Sequence, residues 1–569
     1  MKNYQDGGEA ILEAFRRLGA DYVISSPGSE WASIWEALAR QKRDKLQGPA
    51  YIDCGHESIA VNMATAYTKI TGRMQIVLLH AGAGIMQGTM AIDAAGAMET
   101  PLVVISGEVL GYGEGDFDPG SQWYRNLSVP GGTQRLIEPA VKWSQQVASI
   151  DTLHETIVRA GEMAQRTPKG PTYLCVPMET MLEAWDKPEA PRTVPPAPKL
   201  QPISSDIDRI AETIANAACP VISVENIGPE QEGFDALIEL AELMAIPVVE
   251  GQGAFFGNFP KSHDLYLGQQ IEPLLDEMDL ALLVESRAPW YPPSNVPKDT
   301  RIVSISNNSL KGNMVYQTMH AEDYLEGDSA TTLRLLSAAI RRLSPDAKAV
   351  KQRRAKWRSA HDEWATRLAA AEEVAEQADT ITPPLVMKAL REVLPQEICI
   401  IDETIVHQTG IREHLMWDDP LTFFRAPSGL GQGLGYALGV KLALPDRPVA
   451  VTIGDGSLMY NPLVPTLALA DEHDLPLLIL VFNNSQYAVM KHFHKRFYPD
   501  GAAVGDDDYY GVNIKGPKYE KAAAMVGGYS QRVEDPAELR DALEAAYASV
   551  RAGKTAILNL IMPGDGGVR

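Results

Sequence analysis

Val449-Ala450-Val451-Thr452-Ile453-Gly454-Asp455-Gly456-Ser457 is an apolar, β-branched run that breaks into a glycine turn carrying one acid. Such a run predicts a buried strand of a parallel sheet, and the turn after it predicts the strand end where ligands collect. Backbone N–H groups at a glycine-tolerant turn approach phosphate oxygens, and the Asp455 carboxylate is a hard ligand for Mg2+ or Ca2+. A second apolar run, Leu477 to Phe482, ends in Asn483-Asn484 and delivers a second oxygen ligand from a neighbouring strand end. Gly-Asp-Gly alone reads as an ordinary tight turn. With Asn-Asn at this spacing the pair reads as a diphosphate–metal site.

Outward from this point, short apolar runs alternate with helical patterns along the whole chain, so the fold class is α/β with parallel sheets covered by helices on both faces. Two breaks divide it. Lys187 to Ile203 carries six prolines and reads as a linker. The charged helical stretch from about Asp346 to Asp379 ends at Thr382-Pro383-Pro384. The expected organisation is therefore a first domain over 1–186, a linker over 187–203, a central Rossmann-like domain over 204–345, a helical linker over 346–380 and a last domain over 381–569. In the central part, Pro220–Val224, Ile246–Val249, Leu280–Val284 and Arg301–Ile305 read as successive strands, and no G-x-G-x-x-G follows any of them. The first and last parts echo one another. Ile76-Val77-Leu78-Leu79 leads into the glycine-rich His80-Ala81-Gly82-Ala83-Gly84, a helical stretch, Thr100-Pro101 and a strand, just as Val451-Thr452-Ile453 leads into Gly454-Asp455-Gly456, a helical stretch, Leu475-Pro476 and a strand. Doubly wound domains reuse that unit, so convergence also accounts for the echo.

The chain has 569 residues, 45% hydrophobic and 22% charged, enough for several globular domains. A net charge of −23 and a pI near 5.0 exclude the positive surface that nucleic acid or an anionic membrane requires. Cys54, Cys175, Cys219 and Cys399 are far apart in apolar surroundings and suit a reducing compartment rather than a disulfide framework or a zinc cluster. The opening Met1-Lys2-Asn3-Tyr4-Gln5-Asp6 lacks an apolar signal segment, and no apolar run approaches the roughly 20 residues that cross a bilayer. The expectation is a soluble, cytoplasmic protein.

Gly454-Asp455-Gly456-Ser457 with Asn483-Asn484 resembles the cofactor signature of the thiamine-diphosphate enzymes, the group of acetohydroxyacid synthase, benzoylformate decarboxylase and pyruvate decarboxylase. The resemblance implies three doubly wound domains that bind the pyrimidine, a central function and the diphosphate. It implies that Asp455 and Asn484 ligate Mg2+ or Ca2+ by side chain and Gln486 by its carbonyl, with Gly454, Gly456 and Ser457 around the diphosphate and Asn483 structural. Gly55-His56-Glu57-Ser58 matches the family's His-Glu motif, which makes Glu57 the carboxyl that exchanges a proton with the pyrimidine ring. Ser428-Gly429-Leu430-Gly431-Gln432-Gly433 resembles its glycine-rich segment, with Leu430 as the wedge that bends the cofactor and the Ser428 carbonyl as acceptor for its amino group. Ser29, in Ser26-Pro27-Gly28-Ser29-Glu30, and His80 fall where benzoylformate decarboxylase has its substrate-facing serine and histidine. Taken singly, each of these residues also has a purely structural reading.

Departures from the family are equally specific. Where that decarboxylase supplies a second histidine, this chain reads Arg287-Ala288-Pro289-Trp290-Tyr291-Pro292-Pro293, and Trp290 and Tyr291 are candidates for an aromatic pocket or for simple packing. Pyruvate decarboxylase's adjacent histidines are missing. Val224-Glu225-Asn226-Ile227-Gly228-Pro229 holds an acid in place of a glycine-rich turn, which argues against FAD. Tyr487, Lys491, His492, His494, Lys495 and Arg496 form a basic, aromatic segment that reads as a solvated face or a substrate lid, and His407 and Gln408 occupy another family loop. By resemblance the substrate is a 2-oxo acid or related carbonyl compound, cleaved by a decarboxylase or carboligase. An acetolactate-synthase-like transferase, a 2-hydroxyacyl-CoA lyase and a cofactor-binding scaffold are the alternatives. The resemblance also implies a homodimer or homotetramer with its active sites at the subunit interface.

Overall fold

The computed structural model describes residues 5–111, 117–118, 120–122, 124–125, 127–189, 192–312, 320–427 and 429–564. These residues form seventeen strands in three all-parallel sheets. The first holds β1 (Tyr22–Ser25), β2 (Ala50–Asp53), β3 (Gln75–Leu79), β4 (Leu102–Glu108), β5 (Trp143–Gln146) and β6 (Thr172–Pro177), in the order β2-β1-β3-β4-β6-β5. The central sheet holds β7 (Pro220–Val224), β8 (Val248–Glu250), β9 (Leu280–Val284), β10 (Arg301–Ser306) and β11 (Asp323–Glu326), in the order β11-β10-β9-β7-β8. The last holds β12 (Cys399–Glu403), β13 (Phe423–Arg425), β14 (Val449–Gly454), β15 (Leu478–Asn483), β16 (Ser530–Val533) and β17 (Ala556–Ile561), in the order β13-β12-β14-β15-β17-β16. Renumbered from its own first strand, the last sheet repeats the order of the first. The echo in the sequence is thus an identity of topology, and the fold is α/β with three doubly wound sheets.

By contacts the chain forms two compact units, residues 1–198, 427–445 and 461–475 in one, and 199–426, 446–460 and 476–569 in the other. In the first unit the helix Glu57–Thr71 packs against the helix Gly433–Ala443 through small residues. A Cβ at Gly439 would lie 2.4 Å from the Met63 carbonyl oxygen, so glycine sets how closely the two backbones approach. Gly435 meets Ile59 and Gly439 meets Met63, so the helices run side by side with their N-termini at the same end. In the second unit the helix Ala347–Glu376, expected as a linker, packs onto the central sheet through Trp357, Trp364 and Leu368, and the His361 ring bonds the Tyr266 carbonyl at 2.9 Å.

His80-Ala81-Gly82-Ala83-Gly84, expected as a glycine loop, is instead the start of the helix Ala81–Ala97. The Gly84 N–H donates to the His80 carbonyl at 2.6 Å and closes the first turn. Gly82 is there for space: a Cβ on it would lie 2.4 Å from the Leu127 carbonyl oxygen. Trp290, a candidate pocket residue, is 7% exposed and belongs to the central core, whereas Tyr291 is exposed. No helix among the described residues is long and apolar enough to cross a membrane.

Candidate active site

Two clusters of chemically active groups lie at C-terminal strand ends, where open parallel sheets form their ligand crevices. In the first unit, β1 runs out through Ser26-Pro27-Gly28 into a short turn, Ser29–Trp31, that carries Glu30 into the protein interior. The buried Glu30 carboxylate accepts the Ala81 N–H at 2.8 Å and holds His80 Nδ1, with oxygens at 2.7 and 2.9 Å. Space for this pair comes from two glycines: a Cβ at Gly28 would sit 2.1 Å from His80 Nδ1, and one at Gly107 would sit 2.2 Å from Glu30 Cγ. The hydrogen bond from Glu30 raises the imidazole above its ordinary pKa; burial opposes the rise, and the charges of Glu30 and Glu57 add to it. Nδ1 therefore carries a proton toward Glu30. Nε2 bonds no described residue, and about a quarter of the side chain (24%) is accessible.

Glu57 opens its helix next to this pair. Its Oε1 is 3.4 Å from where a Cβ on Gly84 would stand, in the first turn of the helix that His80 caps. Ser29 Oγ accepts a hydrogen bond from Gln122 Nε2, and Gln122 Oε1 is buried without a partner among the described residues. The structure thus brings Ser29, Glu57 and His80 together and adds Glu30 and Gln122, which the sequence reading missed. Glu30 had one legible signal, an acid in a small-residue loop directly after an apolar strand; Gln122 had none. Leu430 belongs to the same unit. Gly429 and Gly431 flank it at φ +91° and +96°, a conformation that only glycine takes without strain, so the pair fixes the backbone from which Leu430 projects. Ser428 lies outside the described residues.

In the second unit, the one-turn helix Asp455–Leu458 starts directly after β14, and Asn483 ends β15 beside it. Asp455 is buried, and one of its carboxylate oxygens, Oδ2, has no hydrogen-bond partner among the described residues. Burial pushes this carboxyl up to about 6, while the backbone N–H groups of Gly456, Asp455, Asn484 and Ser485 pull the other way. Asn484 Oδ1 accepts the Gln486 N–H at 3.2 Å, and Asn483 is locked to Asn559 at 3.0 Å and to the Ser485 N–H, the structural part expected of it. Gly456 is required by packing, since a Cβ there would meet the Tyr487 ring at 2.5 Å. A buried acid with an orphaned oxygen, beside a turn rich in carbonyl and amide groups, fits a hard divalent cation. His407 caps the helix Gln408–His414, is buried against the Phe482 ring at 5.5 Å, and burial pulls it down to about 4. On the helix Ala488–Phe497, Lys491 pairs with Asp507 at 2.9 Å, and the His494 ring lies tilted against Tyr498 and edge-on to Tyr509.

Comparison with known proteins bears on the whole chain. Residues 5–124 match the N-terminal binding domain of thiamine pyrophosphate enzymes, 207–336 their central domain and 407–559 their C-terminal binding domain. The chain is 26% identical over 562 residues to benzoylformate decarboxylase of Pseudomonas aeruginosa, covering 95% of this chain and 96% of the relative. It is 23% identical over 559 residues to the acetolactate synthase large subunit of Haemophilus influenzae, covering 95% and 92%. In fold it resembles the thiamine diphosphate-dependent 4-hydroxybenzoylformate decarboxylase of Rhodococcus jostii RHA1, with a TM-score of 0.79, 21% identity and coverage of 99% and 100%.

Proposed function

We propose, from the premise that the chain belongs to the thiamine pyrophosphate enzymes, that it is a Mg2+-dependent decarboxylase or carboligase acting on 2-oxo acids. The observation that carries this reading is the Glu30–His80 pair beside Glu57. A reaction that ends by protonating the cleaved fragment needs a group able to hand over a proton, and a histidine oriented at Nδ1 by a buried carboxylate offers one at Nε2.

When bound, thiamine diphosphate supplies the carbon nucleophile and the electron sink for breaking the bond next to a carbonyl. Asp455 and Asn484 by side chain, and Gln486 by its carbonyl, would hold Mg2+ against the diphosphate, with Gly454, Gly456 and Ser457 around it. Leu430 would wedge beneath the bridge between the rings, and the Ser428 carbonyl would accept from the amino group. The Glu57 carboxyl would exchange a proton with the pyrimidine ring, Ser29 Oγ would bind the substrate carboxylate, and His80 Nε2 would move protons to and from the substrate carbon. Retention of Glu57 and Leu430 favours an enzyme over a scaffold, because neither is needed to hold a diphosphate.

The assembly we assign is a homodimer or homotetramer in which Glu57 of one subunit serves the site of Asp455 and Asn484 of another. The domain limits given above and a cytoplasmic location, which four cysteines outside any disulfide suit, belong to the same reading. A second reading, acetolactate-synthase-like transfer, is supported by relatives of similar identity and gives a hydroxyketone in place of an aldehyde. The test is CO2 release from aliphatic and aromatic 2-oxo acids with thiamine diphosphate and Mg2+, with product analysis. Release that yields an aldehyde supports the proposal. Turnover of no 2-oxo acid overturns it.

A further inference from the structure

Three arginines converge on one loop of the second unit. Arg412 donates to the carbonyls of Gly251 at 3.1 Å and Gln252 at 3.4 Å, Arg425 to Gln252 at 3.2 Å, and Arg287 to Gly253 at 2.8 Å. They come from the helix Gln408–His414, from the end of the edge strand β13 and from the loop after β9. The chain between β8 and β9 binds them to the last sheet: Arg425 N–H donates to the Phe255 carbonyl at 2.8 Å, and Gly257 N–H to the Phe423 carbonyl at 3.3 Å.

The charges do not balance locally. Glu225 is spent on Arg287, whose Nε stands 3.8 Å away, and on the N–H groups of Arg287 and Ala288 at 2.6 and 3.0 Å. Asp402, paired in register with Arg425, is fully buried and spends its carboxylate on Thr404 and Thr452; burial pushes its carboxyl up, against those bonds and the charge of Arg425. Among the described residues, neither Arg412 nor Arg425 has a carboxylate within ion-pair distance. Arg412 is buried and acts as a brace. Arg425 is half-buried, spends one N–H on Gln252, and its Nε and Nη2 bond no described residue. In a chain of net charge −23, a surplus of guanidinium groups at a ligand-binding strand edge points to an anion supplied from outside. That edge is the one bearing Asp455, since β13 and β14 are separated by β12 alone, about 10 Å apart at ordinary strand spacing.

We propose that Arg425, backed by Arg412 and Arg287, is the subsite for a second anionic group on the substrate, so that the 2-oxo acid is a dicarboxylate whose far carboxylate docks on Arg425. This rests on the 2-oxo-acid reading above. A planar guanidinium with two adjacent free donors takes a carboxylate in bidentate fashion, and the backing charges favour the anion over its protonated form.

Two measurements on the holoenzyme test it. The first compares kcat/KM for 2-oxoglutarate with that for 2-oxopentanoate, which has the same chain length and no second carboxylate, in the native protein, Arg425→Met and Arg425→Lys. The second follows the binding of glutarate and pentanoate by calorimetry. We expect the native enzyme to favour the diacid at least 30-fold, Arg425→Met to lower that ratio at least 10-fold through KM, and Arg425→Lys to restore part of it. Glutarate should bind at least 10-fold more weakly to Arg425→Met. CO2 release without preference for the diacid, and without effect of Arg425→Met on the ratio, overturns the subsite and leaves the 2-oxo-acid reading standing. If no 2-oxo acid is turned over, that reading falls, and glutarate binding decides the subsite alone: affinity independent of Arg425 overturns it. A loss of thiamine diphosphate affinity in Arg425→Met with glutarate binding unchanged overturns it as well, by assigning the arginines to the diphosphate.

Discussion

The strand ends of the central sheet and those of the last sheet face the same architectural opportunity and use it in opposite ways. In the central sheet three neighbouring strands, β9, β7 and β8, end in buried glutamates that the protein itself satisfies. Glu225 follows β7 and takes two backbone N–H groups; Glu250 ends β8 and takes the Asn258 N–H at 2.8 Å and the Tyr266 hydroxyl at 3.3 Å. Glu285 follows β9 and takes the hydroxyls of Ser306 at 2.6 Å and Ser329 at 2.5 Å, the Asn307 N–H at 3.0 Å and the Lys311 ammonium at 3.3 Å. In the last sheet the equivalent acid, Asp455, keeps one carboxylate oxygen without a partner among the described residues. One edge is closed by internal anions, and the other stores an unmet electrostatic demand that a ligand can meet.

The largest expected effect is at the open edge. Asp455→Ala removes the proposed cation ligand and should cost at least 10^3 in turnover together with Mg2+-dependent cofactor binding, read by steady-state kinetics and equilibrium dialysis. A variant that binds cofactor as well with Mg2+ as the native protein would break the comparison. At the closed edge the effect is on stability. Burial alone would raise the Glu285 carboxyl, but Lys311 first, then Ser306, Ser329 and the Asn307 N–H, outweigh it and hold it below the usual carboxylate range. Glu285→Gln leaves Lys311 buried without its anion and should cost about 3 kcal/mol in urea unfolding at pH 7. A carboxyl depressed in the folded state contributes stability above the ordinary range near pH 4, and that contribution is lost as pH falls through the folded value. The difference between native and Glu285→Gln should accordingly shrink below about pH 4.

The opposite sign is expected at Asp455. Asp455→Asn in metal-free, cofactor-free protein should raise stability by about 1–2 kcal/mol at pH 7, because it removes a buried charge whose burial outweighs the backbone N–H groups that act on it. Destabilisation of that apo variant would show that Asp455 is satisfied without a cation and would erase the contrast. The smallest effect concerns His80, the proposed proton donor. The raised pKa of His80 keeps it protonated above the ordinary histidine value, and a rate that needs the Nε2 proton falls as pH rises through that pKa. Glu30→Gln removes the main cause of the rise, so the alkaline limb of kcat/KM should move toward lower pH by less than one pH unit.

Legibility in the sequence followed the locality of the physics. Asp455, Asn484 and the helix start at Glu57 are set by short-range signals, a glycine turn after an apolar run and a cap before a helix, and all appear where their motifs placed them. The shared order of the first and last sheets was visible as a repeated strand-loop-helix pattern, although His80 to Gly84 proved helical because close approach to Leu127, not chain reversal, selects the glycine there. What the sequence hid was nonlocal. Glu30 meets His80 across 50 residues, Gln122 meets Ser29 across 93, and Arg287, Arg412 and Arg425 meet only because a central loop pairs with the edge strand of the last sheet. No local pattern marks such convergences, since each residue taken alone is an ordinary surface charge or amide.

The most direct test of the central claim, that Glu57 drives proton exchange on a cofactor held through Asp455, is hydrogen–deuterium exchange at C2 of thiamine diphosphate bound to the protein with Mg2+. The account predicts exchange much faster than in free cofactor, and slower by at least 10^2 in Glu57→Gln samples that carry stoichiometric cofactor. Equal exchange rates in the two proteins would contradict it.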